Sequence, residues 1–170
     1  MSNDLVDPSE LTSYPGAPFT QQAVDGAVWA LRRRAGWHIA PSKNETVTVD
    51  GSDTRLVVLP TLQLTAVSEV RDVSGSAPVV LHNWSAARAG MLRRAAGWPR
   101  GFQVVAADIT HGYDETPPDL FPVIAAICKL MADDSDVAQE SLGAWSTTLR
   151  DSLTAEQKET ADSYAIPRFA

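Results

Sequence analysis

The sequence contains a single cysteine, Cys128, among its 170 residues, which excludes an internal disulfide and a cysteine-based zinc site. No apolar run approaches the roughly 18 residues that a membrane-spanning helix needs. The segment from Met1 to Asp7 is acidic and lacks the basic and apolar regions of a secretory signal. These absences predict a soluble globular protein that is made inside the cell and has no membrane partner.

The common catalytic signatures are also missing. No GxSxG elbow, Walker loop, GxGxxG or HExxH motif occurs, and none of His38, His82 and His111 has a second histidine at ligand spacing. The densest titratable cluster runs from His111 through Asp114 to Glu115 and could supply a base or a metal ligand, although a polar turn explains it equally well. The sequence therefore predicts no enzyme, no metal and no cofactor. A small enzyme using His111, Asp114 and Glu115 is the alternative from another functional class.

The net charge of −7 is unevenly distributed along the chain. Residues 1–31 carry four acidic side chains and no Lys or Arg, residues 32–100 carry ten basic and five acidic ones, and residues 101–170 carry four basic and twelve acidic ones. A basic middle between acidic ends can dock against other copies of the chain or against a charged partner. Tight DNA binding is disfavoured, because its usual footprint is a strongly basic domain. Two arginine runs are candidate subunit or partner contacts: Arg32, Arg33, Arg34, Arg93 and Arg94.

The hydrophobic pattern predicts an α+β fold in which strands lie between terminal helices. Thr20 is the expected N-cap of the first helix and Gly36 its C-terminal stop. Thr116 is the expected N-cap of the second helix, and Thr154 is expected to open a capping box with Gln157 for the third. The apolar face expected on the second helix consists of Leu120, Val123, Ile124, Ile127, Cys128 and Met131. The expected elements are helices over about 20–35, 117–132 and 154–163, and strands within 46–110. The expected organisation is an extended or loosely held N-terminal arm over 1–19, one domain over 20–163 and a C-terminal tail over 164–170.

Two details of the strand region depend on turn residues. Asp50-Gly51 is a turn pair, so the segment from Arg55 to Pro60 is expected to return beside the strand over 46–51. Residues 85–97 have good helix propensity but also fit a short hairpin that turns near Gly90. Residues 137–149 are equally ambiguous and could form a short hairpin.

A set of short motifs follows the first helix in a fixed order, and with that helix it spans roughly residues 15–170. These motifs are Gly36-Trp37-His38-Ile39-Ala40-Pro41, Thr46-Val47-Thr48-Val49-Asp50-Gly51, Leu59-Pro60-Thr61, Val67-Ser68-Glu69-Val70, Asn83-Trp84-Ser85, Trp98-Pro99-Arg100-Gly101, Thr110-His111-Gly112-Tyr113-Asp114, Pro117-Pro118-Asp119-Leu120 and Ile166-Pro167-Arg168. The ordered set resembles the head-to-tail adaptor proteins, also called head completion or connector proteins, of long-tailed double-stranded DNA phages.

The resemblance implies a structural virion protein without catalysis. Members of this family form a ring, usually of twelve subunits, beneath the portal protein in the neck of the particle. The ring extends the channel through which DNA passes without specific binding, and it attaches the next stopper or tail protein. The resemblance thus implies self-assembly, a portal partner and synthesis in the cytoplasm of the host bacterium. A different neck component, such as a stopper or a tail terminator, is the nearest alternative.

The resemblance also bears on the fold and on one set of residues. It implies a small helical bundle with an inserted antiparallel sheet or hairpin region, which favours the hairpin for residues 85–97. The C-terminal segment of the family commonly reaches the portal. This implies a portal-docking role for the tail residues Ile166, Pro167, Arg168 and Phe169.

Overall fold

The computed structural model describes residues 5–52, 54–133 and 153–167. The chain divides into two compact units, one formed by Met1–Pro41 with Glu115–Ala170 and the other by Ser42–Asp114. The described part of the first unit is helical, and the second unit consists of antiparallel strands. This arrangement confirms the predicted α+β class with an inserted sheet. Within the described residues, no helix combines the length and the apolar character that crossing a bilayer requires.

The first helix, α1 (Gln21–Ala35), has the two caps that the sequence predicted. The Thr20 hydroxyl oxygen accepts a hydrogen bond from the Ala23 amide at 3.2 Å. Gly36 ends the helix with a φ of 81°, and its amide bonds to the Arg32 carbonyl oxygen at 2.8 Å. Glycine adopts this left-handed conformation without the steric cost that a Cβ atom brings. The buried face of the helix consists of Val24, Ala27, Val28, Leu31 and Ala35.

The second helix, α2 (Leu120–Asp133), begins three residues later than the sequence predicted. Thr116 does not act as the expected cap, because its hydroxyl donates to the Leu5 carbonyl oxygen. Residues 117–119 instead form a turn in which the Leu120 amide bonds to the Pro117 carbonyl oxygen at 3.0 Å. The predicted apolar face is confirmed: Leu120, Val123, Ile124, Ile127 and Cys128 are buried, and Met131 is half-buried.

The third helix, α3 (Ala155–Ser163), starts with the predicted capping box. The Gln157 amide donates to the Thr154 hydroxyl oxygen at 3.2 Å, and the Thr154 amide donates to Gln157 Oε1 at 3.0 Å. These reciprocal bonds satisfy two amides that a helix start otherwise leaves without partners. The three helices pack on one another in the first unit.

The prediction of an extended or loosely held segment over residues 1–19 is wrong for the described part. A 3₁₀ helix (Pro8–Leu11) forms there, and the Asp7 side chain caps it by accepting from the Ser9 amide at 2.9 Å. Leu5, Val6 and Leu11 are buried. Burying each apolar side chain contributes roughly 1.5–3 kcal/mol, which outweighs the preference of the neighbouring prolines for open turns. The bounds of a single domain over 20–163 stay a prediction.

The second unit contains two antiparallel sheets in its described residues. The main sheet has the strand order β1-β7-β3-β4, and the small sheet has the order β2-β6-β5. The strands are β1 (Lys43–Gly51), β2 (Leu56–Val58), β3 (Leu64–Asp72), β4 (Val79–Val80), β5 (Trp84–Ala87), β6 (Met91–Arg94) and β7 (Gly101–His111).

The prediction that β2 returns beside β1 is wrong. Strand β1 pairs with β7 over a register that runs from Lys43 opposite His111 to Gly51 opposite Gly101, whereas β2 pairs with β6. A side chain at Gly51 would lie 1.7 Å from the Pro99 carbonyl oxygen, so this glycine serves a close backbone approach and not a two-residue turn. The distant strand supplies a much longer ladder than the neighbouring three-residue strand could supply.

Residues 85–97 form a hairpin, in agreement with the resemblance and against local helix propensity. Strands β5 and β6 pair, with Trp84 opposite Arg94 and Ala87 opposite Met91. Gly90 lies at the turn with a φ of 75°, and a Cβ there would come within 2.3 Å of the Thr61 carbonyl oxygen. The second predicted hairpin, over 137–149, lies outside the described residues.

One apolar cluster holds the two sheets together. The small sheet contributes Val57 and Leu92, and the main sheet contributes Val70 and Val105, among other residues. The Trp98 indole nitrogen donates to the Arg55 carbonyl oxygen at 3.2 Å, so this large buried side chain keeps a partner for its polar atom. Burial of these side chains from both sheets is what fixes the strand registers.

Candidate interaction surfaces

The first arginine run separates into different environments. Arg32 is half-buried and donates from Nε to the His38 carbonyl oxygen at 2.8 Å and from Nη2 to the Ala40 carbonyl oxygen at 2.6 Å. Arg34 forms an ion pair with Asp162 of α3. Both side chains thus stabilise the helical unit, and their predicted contact role stays a prediction.

Arg33 lies on the exposed side of α1 beside the most exposed tryptophan of the described residues. Its guanidinium carbon lies 5.2 Å from the ring centroid of Trp29, which is 47% exposed. The two residues are four positions apart and so share one face of the helix. A cation over an indole ring in solvent contributes about 0.5–1 kcal/mol. This pair is therefore a polar and aromatic patch on α1, of a composition that is enriched at interfaces.

The second arginine run is divided by the alternation of β6. Arg94 donates from Nε to the His82 carbonyl oxygen at 3.1 Å and from Nη1 to the Gly97 carbonyl oxygen at 2.7 Å, so it tethers the loops on either side of the hairpin. Arg93 is exposed and points to the opposite side of the sheet. Of these two arginines, Arg93 is the one placed to meet another molecule.

One side of the small sheet presents apolar side chains to solvent. Val58, Met91 and Ala87 lie directly opposite one another across the three strands, as do Leu56, Arg93 and Ser85. All six are exposed, whereas the alternate residues Val57 and Leu92 are buried. These six residues are called the outer face of the small sheet below. The exposed fractions of its larger apolar side chains are 44% for Leu56, 46% for Val58 and 39% for Met91.

The outer face lies in a part of the sequence that carries no carboxylate. Residues 54–68 and 73–107 contain five arginines and no Asp or Glu. The second unit as a whole is balanced, with seven basic and seven acidic residues, so the net charge of −7 belongs to the first unit. The strands of the outer face thus lie in stretches that carry arginines and no carboxylate, and Asp53 lies three residues before Leu56.

The structure pairs His111 with an acid that sequence reasoning missed. His111 is buried, and its Nε2 lies 2.7 Å from Glu45 Oε1 across the β1–β7 ladder. Burial lowers the pKa of His111, and this effect exceeds the opposing influence of Glu45. A neutral imidazole that carries its proton on Nε2 therefore donates to the carboxylate. Asp114 and Glu115, the acids predicted to act with His111, are exposed.

Lys43 and His111 together shift the pKa of Glu45. Partial burial by itself would raise the pKa of the Glu45 carboxyl, but the hydrogen bonds and charges of Lys43 and His111 outweigh it, and the pKa is lowered. A buried imidazole held by an ionised acid ties strands β1 and β7 together. The geometry thus gives this pair a structural role in the main sheet.

The predicted docking tail begins as an ordered part of the helical unit. The Ile166 amide donates to the Ala35 carbonyl oxygen at 2.9 Å, and the Tyr164 carbonyl oxygen accepts from the Trp37 indole nitrogen at 2.7 Å. Ile166 is half-buried, and Pro167 is exposed. Arg168 and Phe169 lie outside the described residues. The segment up to Ile166 is therefore fixed to the end of α1.

Comparisons of sequence with protein-family models and with curated proteins find no match. Comparison of structures finds several. One is a chain from the neck of an empty GTA particle computed with C6 symmetry, with a TM-score of 0.62 and 14% identity over 99% of this chain and 93% of that chain. Another is from the neck of a native GTA particle computed with C12 symmetry, with a TM-score of 0.59 and 14% identity over 100% of this chain and 97% of that chain.

A third matching chain comes from the virion of a native gene transfer agent particle, with a TM-score of 0.57 and 15% identity over 97% of this chain and 91% of that chain. At such identities a likeness shows a shared fold. The chain therefore has the fold of proteins found in the neck of gene transfer agent particles, in agreement with the resemblance to head-to-tail adaptors that its motif order shows.

Proposed function

We propose that this chain is a structural protein of the neck of a phage-like particle and acts there as a head-to-tail adaptor. Twelve copies form a ring beneath the portal, the ring extends the DNA channel, and its far side attaches a stopper or tail protein. The chain is made in the cytoplasm of the host bacterium and resides in the virion. It performs no catalysis, and DNA passes through the ring without specific binding.

The observation that carries the proposal is the extent of the structural match. It covers 99% of this chain and 93% of a neck protein, so both the helical unit and the inserted sheet have counterparts. The C12 and C6 symmetries of the neck structures support a ring of copies. The exposed Trp29 and the outer face of the small sheet supply surfaces for such contacts.

The experiment is electron microscopy of the purified chain mixed with the portal protein of the same particle. We expect the isolated chain to be largely monomeric and to form a twelvefold ring on the portal. A ring that binds only a tail-tube end would instead identify a tail terminator, and one that binds only a preformed adaptor ring would identify a stopper. Failure to associate with any neck component would overturn the proposal.

The tail gives a second test of the same proposal. We expect the residues after Pro167, which include Arg168 and Phe169, to dock on the portal, since arginine and aromatic side chains are frequent anchors of interfaces. Truncation after Pro167 keeps the Ile166 amide bond to Ala35 and should therefore leave the melting temperature unchanged. Co-sedimentation with the portal should then be lost. Retention of wild-type binding would show that the tail has no docking role.

A further inference from the structure

The outer face of the small sheet combines two properties that an ordinary solvent-exposed sheet face does not share. One of its two rows, Val58–Met91–Ala87, is entirely apolar and exposed. Its second row places the cation Arg93 between Leu56 and Ser85. Exposed sheet faces usually carry charges of both signs or a covering element, because a bare apolar face promotes association.

The outer face is also rigidly supported from behind. Val57 and Leu92 alternate with the exposed residues and are 4% and 0% exposed within the apolar cluster. The Gly90 turn is held against the residues that follow β2 and against the start of β3. The Leu59 amide donates to the Gly90 carbonyl oxygen at 2.7 Å, and the Leu64 amide donates to the Arg88 carbonyl oxygen at 2.7 Å. A preformed surface of this kind loses little conformational entropy when a partner covers it.

We infer that the outer face of the small sheet is a subunit contact and that the acidic helical unit of a second copy covers it. This inference rests on the proposed ring. Charge complementarity identifies the occupant: the stretches that form the face carry arginines and no carboxylate, whereas the helical unit carries 14 acidic and seven basic residues. Exposed carboxylates of that unit include Glu156 and Glu159, which are three positions apart and share one face of α3.

A contact of this type generates a ring. The basic and apolar face of one copy meets a different, acidic surface of the next, which is a heterologous contact, and such contacts close into rings when the rotation between copies permits it. The apolar part consists of only a few side chains, which cannot by themselves bury the roughly 1,000 Å² that a stable interface needs in total. The contact is therefore too small to hold two free copies together in solution. It would add to the contacts that each copy makes with the portal, in accord with assembly on the portal.

The chain permits a direct test because its native thiol is inert. Cys128 is buried, and burial raises the pKa of its thiol to about 11, so maleimides react only with an introduced cysteine. Met91→Cys would carry a benzophenone maleimide on the outer face, and Thr48→Cys would carry it at an exposed position of β1 as the matched control. Chains that carry the benzophenone and have natural isotope composition are mixed with ¹⁵N-enriched chains that carry no benzophenone. The mixture is assembled on the portal and irradiated.

We expect the label at Met91→Cys to capture ¹⁵N peptides from residues 5–41 or 115–167, and the label at Thr48→Cys to capture at least tenfold less of them. Capture of portal peptides, capture of peptides from 42–114, or no capture within an assembled ring would overturn the inference and leave the proposed function standing. Absence of a ring with the wild-type chain would overturn both.

A substitution without a bulky label gives an independent readout. Val58→Glu places a negative charge on the apolar row of the outer face, and Thr48→Glu places the same charge on β1. Both positions are exposed, so both variants should melt within about 2 °C of the wild type, since surface substitutions change stability by about 0.5 kcal/mol. We expect Val58→Glu to lose ring formation and Thr48→Glu to keep it. A full ring of Val58→Glu would contradict the inference.

Discussion

Leu92 and Met91 are adjacent in β6 but have opposite exposures, which makes the pair a sensitive test of strand register. Leu92 is 0% exposed and belongs to the apolar cluster of the second unit, whereas Met91 is 39% exposed on the outer face. Truncation of a fully buried leucine to alanine costs about 2–5 kcal/mol, because transfer free energy is lost and a cavity remains. Truncation of Met91 removes less buried surface and should cost about 1 kcal/mol or less.

These free energies translate into separate melting temperatures. For a chain of this size, 1 kcal/mol shifts the melting temperature by about 2–4 °C, so Leu92→Ala should lower it by about 4–20 °C and Met91→Ala by less than about 4 °C. Tryptophan fluorescence responds to the transition, because Trp98 is buried in the same cluster. A one-residue slip of β6 would exchange the two faces. A larger loss for Met91→Ala than for Leu92→Ala would therefore refute the register and, with it, the outer face.

Three further variants test the helical unit and the buried histidine. Ile127→Asp buries an unpaired carboxylate on α2 at a cost of several kcal/mol and should abolish the far-ultraviolet helical signal, whereas Lys129→Asp at an exposed position of that helix should not. Arg32→Met removes two hydrogen bonds from a charged donor and should cost about 2–4 kcal/mol in urea unfolding, against about 1 kcal/mol or less for Arg33→Met; equal losses would contradict the distinction between the two arginines. Because the pKa of His111 in the fold lies below its ordinary value of 6.5, the unfolded chain binds the proton first, and the free energy of unfolding should fall as pH drops below about 6.5. A His111→Gln variant with an equally steep pH dependence between pH 7 and 5 would assign this loss to another group.

The sequence predicted elements best where local chemistry determines them. The caps at Thr20, Gly36 and Thr154 depend on side chains within three or four residues of the helix ends, and all three are present in the structure. The apolar stripe of α2 follows from its 3.6-residue period in the same way.

Two nearly identical segments show why local chemistry is insufficient elsewhere. Leu31-Arg32-Arg33-Arg34-Ala35-Gly36-Trp37 and Leu92-Arg93-Arg94-Ala95-Ala96-Gly97-Trp98 differ at one position, yet the first ends a helix and the second ends a strand. In both, the glycine has a positive φ, 81° or 77°, and the tryptophan that follows is buried. The turn is thus encoded locally. The element before it is decided by the partners available, which are other helices in one unit and β2 and β5 in the other.

Long-range pairs were beyond local reasoning for the same reason. The partner of β1 lies some fifty residues further along the chain, and nothing near Gly51 indicates it. Likewise Glu45 and His111 become neighbours only through the β1–β7 register, so the titratable cluster that sequence suggests pairs His111 with the wrong acids. A search for acidic residues on every predicted strand, and not only near His111 in the sequence, would have included Glu45.

The pairing of Lys43 with His111 has a consequence for the order of folding. It brings the two ends of the inserted unit to the spacing of a single antiparallel residue pair, about 5 Å. The helical unit must join segments on either side of about 70 intervening residues, and a folded insert reduces that separation to an effective loop of a few residues. The entropic cost of bringing these segments together then falls by about 2–3 kcal/mol. Pulsed hydrogen exchange should therefore find the Val105 amide protected before that of Leu31. Folding of the inserted sheets thus precedes folding of the helical unit. In a ring built from such chains, a copy would present its helical surface to a neighbour only after its own sheets have formed.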